Sequence, residues 1–238
     1  MKRVLITGGS RGLGLAICRR LLTEGYHVVT ASRRLSPELA ELRHQHSDRL
    51  EFYAVDFADK DAAAQLSLSA RLLEGVDAFV ANAAIGTEGL LTLTSNSAVE
   101  ECIQVNLAAP ILLAREVIKG MLTRGGSLVF ISSVAAKTGF AGLSVYAATK
   151  GALVSFSRSL AREYGERGIR SNCILPGFLE TEMSQSLGEE DRVRLRQRIA
   201  LKRLGQVQDV VGCVSFLISD EARYVTGTEV VIDGGLSA

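Results

Sequence analysis

The chain of 238 residues contains no tryptophan, three prolines, three histidines and four cysteines. The cysteines lie far apart in apolar contexts and form no Cys-x-x-Cys pair: Cys18, Cys102, Cys173 and Cys213. We therefore expect buried, reduced thiols rather than disulfides or reactive nucleophiles. His44 and His46 are the only histidines close together, and no metal-ligand spacing accompanies them. The sequence predicts no metal site.

Excess charge and long apolar segments are also absent. A formal net charge of +1 gives no overall field for nucleic acid or an anionic membrane, so an acidic partner would have to meet a local patch. A strand-like run follows Met1 directly and leaves no room for a signal peptide. No apolar stretch approaches the roughly 20 residues that a membrane span needs. We expect a soluble, cytoplasmic protein that binds neither nucleic acid nor membrane.

Short apolar runs alternate with longer segments of helical spacing. The runs are rich in Val, Ile, Phe and Leu, as is typical of strands covered on both faces: residues 4–7, 27–31, 50–55, 78–82, 127–132, 170–175 and 229–232. The helical segments lie between them: residues 14–24, 61–74, 99–124, 145–167 and 209–219. This alternation predicts a single α/β domain over residues 1–238, a Rossmann-type, doubly wound parallel sheet of about seven strands with helices on both faces.

Residues 180–204 depart from this pattern because they are polar, charged and without strand signals. They follow the sixth predicted strand, near the carboxyl edge where such sheets bind ligands. Two interpretations remain open, a pair of solvated helices and a lid over the substrate. We predict that this segment forms a lid over the substrate.

A glycine-rich turn links the first predicted strand to the first predicted helix. It reads Thr7-Gly8-Gly9-Ser10-Arg11-Gly12-Leu13-Gly14, with the spacing G-x-x-x-G-x-G. Glycines let the backbone turn sharply and come close to a pyrophosphate, and the helix N-terminus offers free N–H groups and partial positive charge. Such turns also occur for structural reasons, but the position between strand and helix favours nucleotide binding.

The end of the second predicted strand indicates which dinucleotide is bound. It reads Ser32-Arg33-Arg34 and has no carboxylate for a ribose 2′-hydroxyl. Ser32 and Arg33 stand where a 2′-phosphate would lie, and Arg11 is a second candidate cation. The alternative is that Arg33 and Arg34 are only solvent-exposed charges. We predict NADP(H).

A second group of residues fits proton transfer to a carbonyl oxygen. Ser133 follows a predicted strand at the ligand-binding edge, Tyr146 comes thirteen residues later, and Lys150 four residues after that. The spacing of four places the phenol and the ammonium on one helical face. A nearby lysine lowers the pKa of a tyrosine, and a serine hydroxyl can donate to the carbonyl oxygen. Y-x-x-x-K alone is weak, but its place after a nucleotide turn and a serine-ended strand makes it strong.

With these motifs the chain resembles the short-chain dehydrogenase/reductase family over essentially its whole length. The resemblance rests on the glycine turn and on six further features: Asn82-Ala83, Asn106, Ser133, Tyr146, Lys150 and Pro176-Gly177. It implies that Tyr146 is the general acid, that Ser133 positions the carbonyl, and that Lys150 also binds the nicotinamide ribose.

The resemblance implies further contacts with the cofactor. Asn106 would hold a water in a proton relay to Lys150, and Asp56 with Phe57 would meet the adenine. The remaining cofactor residues would be Asn82, Ala83, Pro176, Leu179 and Thr181. One departure is Ala84, which stands where the family usually has glycine after the fourth strand.

Within the family, the chain is most similar to the 3-oxoacyl-[acyl-carrier-protein] reductases. This implies reduction of a 3-oxoacyl thioester carried by acyl carrier protein or coenzyme A, in fatty acid or related acyl-chain biosynthesis, by a homotetramer. Arg124 and Arg167 would dock an acidic carrier protein at the mouth of the site, or only complement helix dipoles. Two alternatives remain, a reductase of a polyketide or other ketone and a non-catalytic NADP(H)-binding regulator.

Overall fold

The strands of the computed structural model, which describes residues 1–62, 66, 75–181 and 188–238, form one seven-stranded sheet. The order is β3-β2-β1-β4-β5-β6-β7 and every neighbouring pair is parallel. The strands are β1 Arg3–Thr7, β2 His27–Ser32, β3 Leu50–Ala54, β4 Val76–Ala81, β5 Gly126–Ile131, β6 Ile169–Pro176 and β7 Glu229–Ile232. All seven predicted strands are confirmed, with ends that differ by one or two residues. The order reverses at β1 and β4, which makes the carboxyl edge there the expected ligand crevice.

The helices of the described residues lie between these strands. They are α1 Gly12–Thr23, α2 Pro37–Gln45, α3 Asn96–Ile103, α4 Ala109–Met121, α5 Ser144–Tyr164, α6 Glu189–Arg198 and α7 Val207–Ile218. The predicted helix 61–74 lies almost entirely outside the described residues. Helix α2 was not predicted, because its apolar spacing is weak. Its start is marked all the same, since Ser36 accepts a hydrogen bond from Leu39 N at 3.2 Å and Pro37 begins the helix. Serine followed by proline is a helix-start signal.

The predicted helix 99–124 is interrupted. A π-helical turn, Gln104–Ala108, separates α3 from α4 and contains the buried Asn106. Such turns insert an extra residue into a helix and often occur at functional sites. The run Asn96–Met121 is long and apolar enough to cross a membrane, contrary to our expectation that no stretch reaches that length. Its inner residues, among them Leu113 and Val117, belong to the core against the sheet, which explains the hydropathy.

The sheet has an apolar core on each face. Leu5, Phe79 and Phe130 face the layer that contains α4 and α5, while Ile6 and Val80 face α1 and α7. Burial of apolar surface contributes about 25 cal/mol per Å² to stability. The two cores therefore fix the positions of the strand ends on which the site is built. All four cysteines are free thiols; Cys213 is partly exposed and the others are buried. Within the described residues, no cluster of potential metal ligands is present.

The segment 180–204 contains one helix, α6, where a pair of solvated helices was one of the two interpretations; residues 182–187 lie outside the described part. Leu195, Ile199 and Leu204 form a small separate core with Phe178 and Leu236. Leu179 forms a parallel bridge with Gly205, which brings the end of the segment back beside its beginning. Its role as a lid stays a prediction.

Candidate active site

The glycine turn lies at the carboxyl end of β1 and approaches its neighbours closely. Gly8 has φ 75°, in the left-handed region, and its N–H donates to Ala31 O at 2.7 Å. A Cβ at Gly14 would lie 2.1 Å from Gly8 O, so glycine is required for the turn to fold onto α1. The first N–H groups of α1 have no acceptor within the helix, and no acidic side chain lies in its first turn. The turn can thus present N–H donors to a pyrophosphate.

Asn82 and Thr7 fix this turn to the end of β4. The Asn82 side-chain amide donates to Thr7 O at 2.9 Å and to Gly8 O at 3.3 Å. Thr7 Oγ1 accepts from the backbone N–H of Asn82 and of Ala83, each at 3.0 Å. Neighbouring Ala84 adopts no left-handed φ, since Lys202 is the only non-glycine with positive φ in the described residues. Alanine therefore fits this backbone without strain.

The residues predicted to read the adenosine end lie beyond β2 and β3. Ser32 is buried and its hydroxyl donates to Arg34 O at 3.3 Å, whereas Arg33 is exposed. Ser36 donates to Ser10 O at 2.6 Å and so joins the glycine turn to the start of α2. The exposed guanidinium of Arg33 and the turn containing Arg11 are thereby brought to one side of the crevice.

Asp56 and Phe57 follow β3. Asp56 is exposed and its carboxylate accepts from Ala58 N at 3.0 Å. The Phe57 side chain is only 4% exposed and belongs to the core. Phe57 is thus buried as a whole residue, while the Asp56 carboxylate is open to a ligand.

Ser133, Tyr146 and Lys150 are brought together where β5 ends and α5 begins. Lys150 is buried, and its Nζ donates to Ile131 O at 2.8 Å. Ser132 donates to Lys150 O at 2.8 Å, which fixes the helix to the strand end. Lys150 Nζ lies 5.6 Å from the centre of the Tyr146 ring. The spacing of four thus places the two groups on one face, as predicted.

The pKa values correct one expectation. We predicted that Lys150 lowers the pKa of Tyr146, but burial raises it, and the hydrogen bond with Ser133 only partly opposes this effect. Burial also lowers the pKa of Lys150 to about 8. Lys150 is not among the groups that shift the pKa of Tyr146; its Nζ lies over the ring and donates to the backbone carbonyl of Ile131. The phenol therefore remains protonated at neutral pH, which is the form that a proton donor needs.

Asn106 acts through its side chain on the loop that follows β4. It is fully buried, accepts from Ile85 N at 2.8 Å and donates to Ile85 O at 2.9 Å. It also approaches Thr149 Oγ1 at 3.4 Å and Cys102 Sγ at 3.3 Å. These contacts join the β4 loop, the π turn and α5 close to Tyr146. The relay water inferred for Asn106 stays a prediction.

The residues after β6 close the crevice on its other side. Pro176 ends β6, and Gly177 N donates to Ile232 O at 2.8 Å. A Cβ at Gly12 would lie 3.9 Å from Thr181 Cγ2, so this segment reaches the glycine turn. Thr181 therefore lies beside the glycine turn, and Leu179 precedes it by two residues at the same edge of the sheet. Their contacts with the nicotinamide stay a prediction.

Arg124 and Arg167 are not brought to this site. Arg124 pairs with Asp77 Oδ1 at 3.1 Å, next to the first residue of β4, and Arg167 lies just before β6 begins. Both are at the amino edge of the sheet, opposite the catalytic group. The expectation that they line the mouth of the same chain's site is wrong, because parallel strands bring all their starts to the edge away from the ligand crevice.

Sequence reasoning also missed residues that build the site without touching a ligand. Thr7 and Ser132 position the two loops described above, and Thr149 donates to Tyr146 O at 2.7 Å. Each is a buried hydroxyl directly next to a motif residue, and that adjacency is the signal that could have found them.

The described residues fit a bound dinucleotide. A Cβ at Gly12 would meet no atom closer than Thr181 Cγ2 at 3.9 Å, so the turn is open on that side, and the Lys150 ammonium has donors beyond the one used by Ile131 O. A buried ammonium with one acceptor is costly unless another partner such as a ribose hydroxyl completes its shell.

Comparison with known proteins agrees with this geometry. A family model described as enoyl-(acyl carrier protein) reductase matches residues 8–237. Nodulation protein G of Rhizobium sp. (strain N33) is 35% identical, over 99% of this chain and 97% of the relative. The 3-oxoacyl-[acyl-carrier-protein] reductase FabG of Salmonella typhimurium (strain LT2) is 34% identical with the same coverage. The crystal structure of a blue fluorescent protein from a metagenomic library, in complex with NADPH, superposes with a TM-score of 0.92 at 34% identity, covering 100% of this chain and 98% of that one.

Proposed function

The chain belongs to the short-chain dehydrogenase/reductase family, and we propose that it reduces a 3-oxoacyl thioester to the 3-hydroxyacyl thioester with NADPH. The observation that carries the proposal is the meeting of Ser133, Tyr146 and the buried Lys150 at the same sheet edge as the glycine turn. Proton donors and a dinucleotide crevice at one edge suit carbonyl reduction.

The residues of the chain supply binding and the proton. Bound NADPH supplies the hydride for the carbonyl carbon. The Ser133 hydroxyl donates to the carbonyl oxygen as negative charge develops there. The Tyr146 phenol gives its proton to that oxygen, so the C=O π bond becomes an O–H bond and the phenolate is left to be reprotonated from solvent. Lys150, whose Nζ has donors beyond the one that Ile131 O accepts, would bind the nicotinamide ribose.

The choice of NADPH over NADH is supported by charge. The exposed Arg33 and the adjacent turn with Arg11 offer guanidinium groups for a 2′-phosphate. Within the described residues, β2 ends without a carboxylate that would favour a free 2′-hydroxyl.

The proposed partners are an acyl carrier protein or coenzyme A thioester and three further copies of this chain in the cytoplasm. Ile103, the last residue of α3, and Leu122, directly after α4, are 43% and 39% exposed and support an apolar contact between copies. Light scattering after size-exclusion chromatography tests this, with a mass near four times 25.5 kDa expected and a monomer contradicting it.

The direct test is NADPH oxidation with the N-acetylcysteamine thioester of 3-oxobutanoate, beside a panel of ketones and quinones. We expect turnover of the thioester by the wild type and none by Tyr146→Phe. Preferred turnover of a simple ketone would instead support the alternative reductase. NADPH binding with no turnover of any carbonyl would favour a regulator.

A further inference from the structure

Two aromatic rings face each other across the carboxyl edge of the sheet. Phe140 lies in the connection between Ser133 and Tyr146, and Phe178 lies two residues after Pro176. Their ring centres are 5.4 Å apart with an interplanar angle of 78°, an edge-to-face contact. The Phe140–Phe178 pair thus joins the two loops that flank the catalytic group.

The backbone on both sides of the pair is fixed. Gly205 N donates to Phe178 O at 2.9 Å, and the Phe178 ring packs against the small core of Leu195, Ile199 and Leu204. On the other side, Gly142 O accepts from Gly89 N at 3.0 Å, which fixes the Phe140 connection to the loop after β4. Both rings are partly exposed, so the pair presents an apolar face that its surroundings hold in place.

Polar groups are scarce along the same connection. Thr138 donates to Val134 O at 3.3 Å, while Lys137 and Ser144 are exposed to solvent. The connection from Val134 to Leu143 therefore contains two polar side chains, the solvent-exposed Lys137 and Thr138, whose hydroxyl is bonded to the backbone. A substituent rich in hydroxyls would lose its water hydrogen bonds here without replacement, whereas an alkyl chain would gain by burial.

We propose that the Phe140–Phe178 pair is the specificity-determining wall of the substrate site and selects carbonyl compounds with an extended alkyl substituent over short or polyhydroxylated ones. This inference rests on the proposed function, because it concerns the substrate of the same site. The aromatic faces bind the chain beyond the reacting carbonyl, while Ser133 and Tyr146 act on the carbonyl itself.

The experiment compares the wild type with Phe140→Ala, Phe178→Ala and Phe140→Leu, which keeps apolar bulk. Calorimetry in the presence of NADP⁺ measures the binding of the N-acetylcysteamine thioesters of 3-hydroxybutanoate and 3-hydroxyoctanoate. We expect the wild type to bind the eight-carbon compound at least ~10-fold more tightly, since four more CH₂ groups are buried. Phe140→Ala and Phe178→Ala should reduce this ratio to ~3-fold or less, and Phe140→Leu should retain most of it.

Phe216→Ala is the matched control, because Phe216 is 40% exposed on α7 and belongs to neither loop. It should leave the ratio unchanged. The proposal is overturned if both alanine variants keep the wild-type ratio of affinities for the two thioesters while their NADPH affinity and melting temperature are also those of the wild type. Turnover of the corresponding 3-oxo thioesters in the same preparations tests the proposed function separately. If the wild type binds the longer thioester more tightly but turns over neither 3-oxo compound, the proposed reaction is refuted and the role of the Phe140–Phe178 pair in binding is retained.

Discussion

The two edges of the same parallel sheet use polar residues in different ways. At the amino edge charged side chains form ion pairs, Arg3 with Glu51 at 3.0 Å and Asp77 with Arg124 at 3.1 Å. At the carboxyl edge the Lys150 ammonium is buried against a single backbone carbonyl, that of Ile131. The charged side chains of the amino edge thus pair within the fold, whereas the Lys150 ammonium at the carboxyl edge has donors left for a ligand.

Tyr146→Phe should produce the largest effect, because it removes the proton donor of the carboxyl edge. We expect kcat to fall by about 10³-fold or more, which is the upper part of the range for general acid catalysis, while the NADPH Kd changes little. Stopped-flow oxidation and fluorescence titration measure the two quantities. Tyr224→Phe is the control, because Tyr224 is fully exposed. A Tyr146→Phe enzyme with wild-type kcat would remove Tyr146 from the mechanism.

Lys150→Met should change how the free energy of unfolding depends on pH. Burial lowers the Lys150 pKa from 10.5 to about 8, so the unfolded chain holds the proton more strongly between these values. Between pH 7.5 and 9.5 the free energy of unfolding of the wild type without cofactor should therefore rise by about 2 kcal/mol relative to that of Lys150→Met. Urea unfolding followed by circular dichroism measures this difference. If the free energy of unfolding of the two proteins changes equally with pH, burial does not lower the pKa of Lys150.

Arg33→Glu should reverse the cofactor preference. Loss of a charge-assisted hydrogen bond to the 2′-phosphate costs about 1.5–3 kcal/mol, so kcat/KM for NADPH should fall by roughly 10- to 150-fold. The same variant should use NADH at least as well as the wild type does. Arg34→Glu, one residue further along, is the matched control. An equal effect at Arg34, or none at Arg33, would assign the phosphate to another cation.

Arg124→Gln should have the smallest effect, because Arg124 is a half-exposed ion-pair partner at the amino edge. We expect a loss of at most about 1 kcal/mol in unfolding free energy and unchanged kcat/KM for a small thioester. The charge-reversed Arg124→Glu should behave alike with the small substrate. If its kcat/KM drops with acyl carrier protein thioesters only, Arg124 docks the carrier from another copy of the chain. No change with either substrate would end the docking proposal.

The sequence predicted the strands and the catalytic group because both depend on local patterns. Apolar runs identified the seven strands, and motifs at strand ends placed Ser133 and the glycine turn on the correct edge. The π turn at Asn106 could not be read in the same way, since it depends on hydrogen bonds to Ile85 from a distant loop. The edge position of Arg124 and Arg167 could have been predicted, because both directly precede strands of a sheet that was already expected to be parallel.

The electrostatics of the catalytic group were the least predictable part. Spacing placed Lys150 beside Tyr146, but whether the lysine lowers the tyrosine pKa depends on where Nζ points. Here it donates to Ile131 O, and burial dominates for both groups. Side-chain direction and desolvation are tertiary quantities that a spacing of four does not contain.

Transfer of deuterium from NADPH doubly labelled at C4 to the thioester tests most directly whether the carboxyl edge is a carbonyl reductase site. The 3-hydroxyacyl product of the wild type should carry one deuterium at C3, seen by mass spectrometry as a gain of one mass unit. The Tyr146→Phe enzyme should yield no labelled product above background. Product formed by the wild type without deuterium, or labelled product formed equally fast by Tyr146→Phe, would contradict the mechanism.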